Sequence, residues 1–163
     1  MSGSDLRSEI DLALAGAQSA WDAAFVPIAD SLEVYNEAAF HYFLSVERER
    51  SIRSGRPLLL MLLDIPGDGV DKAAMDAAAA RRTFLALGQC LRETDFIGWY
   101  EREFTAGAVL TQRSQKPSLD AAGRVRDRVM RVLSDRLPGD EPRVRVRLYQ
   151  MPFGLKGRQT AWR

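Results

Sequence analysis

The run PLLLMLLDI at residues 57–65 constrains this chain more than any other segment. It is apolar up to Asp64, too short for most helices, and bounded by Gly55 before it and the turn-rich PGDG after it. Such a run is a strand covered on both faces. The chain therefore needs a sheet with other elements packed on each side, and the flanking sequence supplies them.

Residues 36–54 read as a helix, with Phe40, Phe43, Leu44 and Ile52 as core positions and ERER as its solvated part; Gly55 and Pro57 stop it. Residues 70–94 are Ala-rich and helical, with Phe84, Leu87 and Leu91 on one stripe. FIGWY and AGAVLTQ are short β-prone runs separated by ERE, the pattern of a hairpin. Residues 119–137 form another amphipathic helix through Ala122, Val125, Val129 and Val132, which PGDEP breaks. RVRVRLY alternates, with Val144, Val146 and Leu148 facing one way and Arg143, Arg145 and Arg147 the other, as in a half-buried strand.

At the N-terminus, Ile10, Leu14, Ala17, Trp21, Ala24 and Ile28 recur in steps of three and four, a seam along a helix over residues 5–28 that Pro27 interrupts. It reads as a dimerising or signal-transmitting helix, or as an amphipathic helix folded onto its own domain. The predicted class is α/β (α+β): a central mixed β-sheet flanked by helices, with an N-terminal helical extension. The division is residues 1–30 for the extension, 31–155 for the domain and 156–163 for a tail.

Composition excludes several functions. The 163 residues make one domain, and 23 basic residues against 22 acidic ones leave a net charge of +1, so no global field draws the protein to nucleic acid or a membrane. One cysteine, Cys90, forms no internal disulfide, and one histidine, His41, builds no His-rich metal site, which makes the reducing cytoplasm the expected compartment. No apolar run approaches the roughly 20 residues needed to span a bilayer, and the acidic N-terminus does not read as a secretory signal. His41, between aromatic residues, reads as a packing histidine, and Cys90 as a small core residue.

Four segments resemble the GGDEF domain of diguanylate cyclases in a degenerate form. DSLEVYNEAAF is similar to the family's opening motif through Asp30, Leu32, Asn36 and Phe40, with Glu37 where an Arg is usual. ERERSIRSGRPLLLMLLDI resembles the helix and first strand, placing Asp64 on the first metal-binding aspartate. RETDFIGWY is similar to the stretch carrying the RxxD inhibitory site, here Arg92 and Asp95. EREF, Glu101 to Phe104, then stands where the signature belongs, before AVLT.

The departures decide what the resemblance implies. Active members use paired glycines so that backbone approaches the nucleotide without a Cβ. Here Glu101, Arg102, Glu103 and Phe104 form the degenerate signature, in a turn one residue shorter, and the guanine-reading Asn and Asp have no counterpart after Asp64. The implied function is a catalytically inactive regulatory or interaction module, without cofactor, that senses cyclic di-GMP through Arg92 and Asp95 in exopolysaccharide or biofilm signalling. An Arg offers paired donors to guanine or phosphate, and an Asp accepts from guanine nitrogens; an ordinary helix-end arrangement of the pair explains the tetrapeptide equally well.

Arg124, Arg126, Arg128, Arg143, Arg145 and Arg147 are potential supplements to Arg92. Trp99 and Tyr100 either stack on a base, plug the former active site or pack in the core. Asp64 and Glu103 make a vestigial carboxylate pair suited to Mg²⁺ only where nucleotide binding survives. The alternatives are a protein-binding or homodimeric scaffold with no nucleotide ligand, and a residual nucleotide cyclase.

Overall fold

The computed structural model describes residues 23–67, 69, 71–111, 119–136 and 144–151, together with Ser8. The elements run β1 (Phe25–Ala29), β2 (Leu32–Tyr35), α1 (Glu37–Ser54), β3 (Leu58–Pro66), β4 (Lys72–Ala73), α2 (Ala77–Cys90), β5 (Phe96–Glu101), β6 (Thr105–Thr111), α3 (Leu119–Arg136) and β7 (Arg145–Met151). They form one seven-stranded sheet in the order β1-β2-β5-β6-β3-β4, with β7 also paired to β3. Every pairing is antiparallel except that of β2 with β5.

The apolar run is the centre of the sheet, flanked by β6 on one side and β7 on the other. Its alternate residues feed two cores. Leu58, Leu60 and Leu62 pack with Phe40 and Leu44 of α1. Leu59, Met61, Leu63 and Ile65 pack with Phe84 and Leu87 of α2 and with Val129 and Leu133 of α3. This two-sided burial is why the run shows no alternation. Among the described residues no helix is long and apolar enough to cross a membrane.

Three sequence expectations need correction. Residues 25–29 are a strand rather than the end of a helix reaching Ile28, so the sheet begins inside the segment assigned to the extension. Pro27 cannot donate to a helical ladder but is tolerated on an edge strand, and residues 30–31 turn the chain back into β2. The predicted helix over 70–94 is shorter. Asp76 caps it by accepting from the Ala79 N–H (2.7 Å), and Lys72 and Ala73 instead pair with Pro66 and Ile65. Ile52, expected in the core, is 57% exposed, because the α1 face that meets the sheet runs through Phe40 and Leu44. The rest of residues 1–22, Ala122's side chain, Arg143 and the tail lie outside the described residues.

Phe40 fixes how α1 sits on the sheet. It is fully buried over the cross-strand pair Gly98 and Gly107, where a Cβ on Gly107 would come within 2.6 Å of its ring. A Cβ on Gly98 would lie 2.6 Å from the Tyr35 carbonyl oxygen, so Gly98 also permits β2 to approach β5.

Candidate functional site

Asn36 starts α1 and ties it to the chain before it. Its Oδ1 accepts from the Ala39 N–H (2.8 Å), and its Nδ2 donates to the Ala23 carbonyl (2.6 Å). From this anchored end, two side chains reach the β5–β6 turn. Glu37 accepts from the Arg102 N–H (2.7 Å), and His41 Nε2 donates to the Tyr100 carbonyl (2.7 Å) while its ring packs on that of Tyr100, 4.7 Å between centroids.

The turn itself is closed. The Phe104 N–H donates to the Glu101 carbonyl (3.0 Å), and the Met75 N–H to the Glu103 carbonyl (2.6 Å). The Glu101 carboxylate pairs with Lys72, whose ammonium also donates to Thr105 Oγ1 (3.1 Å). Glu103 holds a positive φ of 66°, a conformation costly for a residue with a Cβ. Side chains of Arg102 and Glu103 are 79% and 64% exposed, whereas the Glu101 carboxylate turns back onto the sheet, toward Lys72.

Asp64 lies near the end of β3, on the same face as Glu101 and Thr105. It is fully buried, and both carboxylate oxygens are engaged: Arg145 Nε donates to Oδ1 (2.7 Å) and Arg147 Nη2 to Oδ2 (2.5 Å). Arg147 Nη1 also donates to the Tyr149 hydroxyl (3.2 Å). The expected carboxylate pair therefore has two different settings: Asp64 faces the β7 guanidiniums, and Glu103 faces solvent, with Arg102 3.9 Å away. Among the described residues no three His, Cys, Asp or Glu side chains cluster as a metal site would.

Arg92 and Asp95 lie at the other end of the sheet. Asp95's side chain is 2% exposed; Oδ1 accepts from the Thr111 N–H and Oδ2 from the Arg92 N–H, each at 3.0 Å. The Asp95 N–H returns to the Arg92 carbonyl (3.0 Å), which completes the turn from α2 into β5. Arg92's guanidinium stays 57% exposed, 3.8 Å from Asp95 and donating to the Thr111 carbonyl (3.3 Å). Burial pushes the nearby Cys90 thiol above its ordinary pKa, and the positive charge of Arg128 partly offsets this.

The structure brings Arg92 and Asp95 together but does not gather the β7 arginines around them. Arg145 pairs in register with Asp64, whereas Thr111 pairs with Leu58, six residues back along β3. Arg126 pairs with Asp127. Trp99 is buried edge-on against Phe84, 4.9 Å between centroids, on the sheet face opposite the turn's carboxylate cluster, so it packs in the core. An open groove of about 630 Å³ between the β1–β2 hairpin and Arg81 touches Asp30 and Leu32 of the opening motif but none of the expected ligand residues.

Sequence reading missed the Asp64 partners. A lone acid ending an apolar strand was one half of the signal, and the alternating arginines of β7 were the other.

No family model matches the chain, and no curated protein matches it. Solved structures match its fold. The diguanylate cyclase SiaD, in complex with its activator SiaC from Pseudomonas aeruginosa, is 20% identical with a TM-score of 0.56 over 93% of this chain, which spans 59% of the SiaD chain. The coiled coil and GGDEF domain of DgcB from Caulobacter crescentus, in complex with c-di-GMP, is 14% identical with a TM-score of 0.63, covering 90% of this chain and 80% of that one. The GGDEF domain of FimX from Pseudomonas aeruginosa is 9% identical with a TM-score of 0.57, covering 78% and 79%. At these identities the likeness is one of fold: this is a mixed α/β sheet of the GGDEF type.

Proposed function

We propose that the chain is a catalytically inactive GGDEF-like domain working as a regulatory or interaction module. The observation that carries this reading is the closed β5–β6 turn. Its Arg102 N–H is spent on Glu37, its Phe104 N–H on Glu101, and the Glu101 carboxylate on Lys72. A phosphate entering the turn would have to displace these partners and would meet Cβ atoms where the resembling family has glycine. Phosphoryl transfer depends on holding the substrate in line beside metal ions, and this turn offers no such seat. Incubation with GTP and Mg²⁺ or Mn²⁺, followed by product separation, should yield no cyclic dinucleotide. Product that disappears in Asp64→Ala would overturn the reading in favour of a residual cyclase.

Within that role, the exposed guanidinium of Arg92 supports cyclic di-GMP as the ligand sensed, the molecule with which the DgcB domain was crystallised. Asp95 spends both oxygens on backbone N–H groups, so in this reading it positions the turn and Arg92 meets the ligand. Exopolysaccharide or biofilm signalling is the setting the resemblance suggests. Calorimetry and thermal shift with cyclic di-GMP, on wild type and Arg92→Ala, test it: a ligand at a hundredfold excess over its dissociation constant stabilises by about 2.7 kcal/mol. An unshifted wild type leaves the protein-binding scaffold, for which the SiaD–SiaC complex offers a parallel of fold.

A further inference from the structure

We infer that Arg145 and Arg147 serve as a built-in counter-cation for Asp64, holding the coordination positions that a divalent metal ion would need. The ladder dictates the arrangement. Asp64 is in register with Arg145 and Leu62 with Arg147, so alternate positions of β7 bring both guanidiniums to the face on which the carboxylate lies. Each oxygen receives a charged donor, at 2.7 and 2.5 Å, and the carboxylate has no exposure to solvent. Tyr149 holds the second guanidinium from its other side.

A hard divalent cation takes six or more oxygen ligands, several of them anionic. Here Asp64 already faces two cations, and the other acid beside it on this face, Glu101, is paired with Lys72. Three fixed cations stand against two anions, and the residues present do not fit the ion. The guanidiniums are covalently part of the chain, so this counter-charge, unlike a bound metal, neither dissociates nor depends on supply. The exchangeable ion has become part of edge strand β7, and the domain is complete without it.

The inference deepens the inactive reading and rests on it only for treating Asp64 as the counterpart of a metal-binding aspartate. GTP turnover would overturn that reading; metal at Asp64 would overturn this one. The experiment is Mn²⁺ binding to the full chain, followed by electron paramagnetic resonance and by thermal shift with and without chelator. Wild type and Asp64→Asn should be indistinguishable up to about 1 mM Mn²⁺, the weak end of biological oxygen sites. The double variant Arg145→Gln, Arg147→Gln should gain affinity of about tenfold or more. It should also gain a metal-dependent rise in Tm of about 4 °C or more, with both gains lost on adding Asp64→Asn. Saturable Mn²⁺ binding by wild type that Asp64→Asn removes would overturn the inference, as would a folded double variant with no gain. Should the double variant fail to fold, the wild-type comparison still decides, and Arg145→Gln alone, which removes the more exposed donor, should show a smaller gain in the same direction.

Discussion

Asp64 and Asp95 are both buried carboxylates with both oxygens satisfied, but opposite ends of the sheet satisfy them differently. Asp64 is answered by two charged side chains from a strand 81 and 83 residues away. Asp95 is answered by backbone N–H groups of its own turn and of the neighbouring strand end. The two ends lie six β3 residues apart, about 20 Å. A carboxylate held by charged side chains depends on the identity of two distant residues, whereas one held by peptide N–H groups depends only on the backbone staying in place. The first kind welds distant strands, and the second closes a local loop.

The contrast is most exposed to failure at Asp64. Replacing Arg145 and Arg147 together with Met should cost about 3–5 kcal/mol in urea unfolding, because it strands a buried charge, and adding Asp64→Leu should recover most of that loss. A loss below about 1 kcal/mol would mean that Asp64 rehydrates and that the two ends do not differ in kind.

At the sheet centre, away from both carboxylates, Gly98→Ala should cost about 1–3 kcal/mol, because its Cβ meets backbone rather than a yielding side chain. Asp95→Ala should cost about 1–3 kcal/mol by leaving two N–H groups unpaired, with Asp95→Asn milder since one carbonyl oxygen remains. Combined with the β7 substitutions, its effect should add to within about 0.5 kcal/mol, as expected for sites this far apart. Coupling larger than that would break the picture of independent ends.

Arg92→Ala should change stability by less than about 1 kcal/mol, since the side chain is mostly exposed; under the proposed sensing role its effect would fall on ligand binding. The smallest effect concerns Cys90. Its folded pKa is raised, so the native state keeps a proton that the unfolded chain releases. Stability is therefore full below the ordinary thiol pKa of the unfolded chain and declines as pH rises through it toward the folded value. Urea midpoints of wild type and Cys90→Ala across that range should diverge in this sense.

Much of the fold was legible because its signals are local. The β3 run declares two-sided burial, and the β5–β6 hairpin and α1 carry their own stops. The β1–β2 hairpin was not, because a helical spacing of apolar residues runs up to Ile28 and masks a five-residue strand whose partner lies only across the turn. β4 is two residues long and exists only by pairing with the end of β3. At the candidate site, Asp64, Arg92 and Asp95 stood out through the resemblance to the family's motifs. The arginines facing Asp64 did not, because alternation tells which residues share a strand face but not which strand lies alongside.

The β1–β2 hairpin joins the remainder of the sheet through one registered parallel pair, Tyr35 with Gly98, whereas β3 is laced to each of its long neighbours over seven. The hairpin is held instead by its side chains, with Val34 buried in the core and Val26, Ile28 and Leu32 packed against it, so its amides should exchange with deuterium before those of the sheet centre while its apolar face stays in place. A pull or twist delivered at Phe25 would reach the domain along three routes at once: the ring stack on Tyr35, the Asn36 N–H bond to the Ala24 carbonyl at the start of α1, and Val34 in the core.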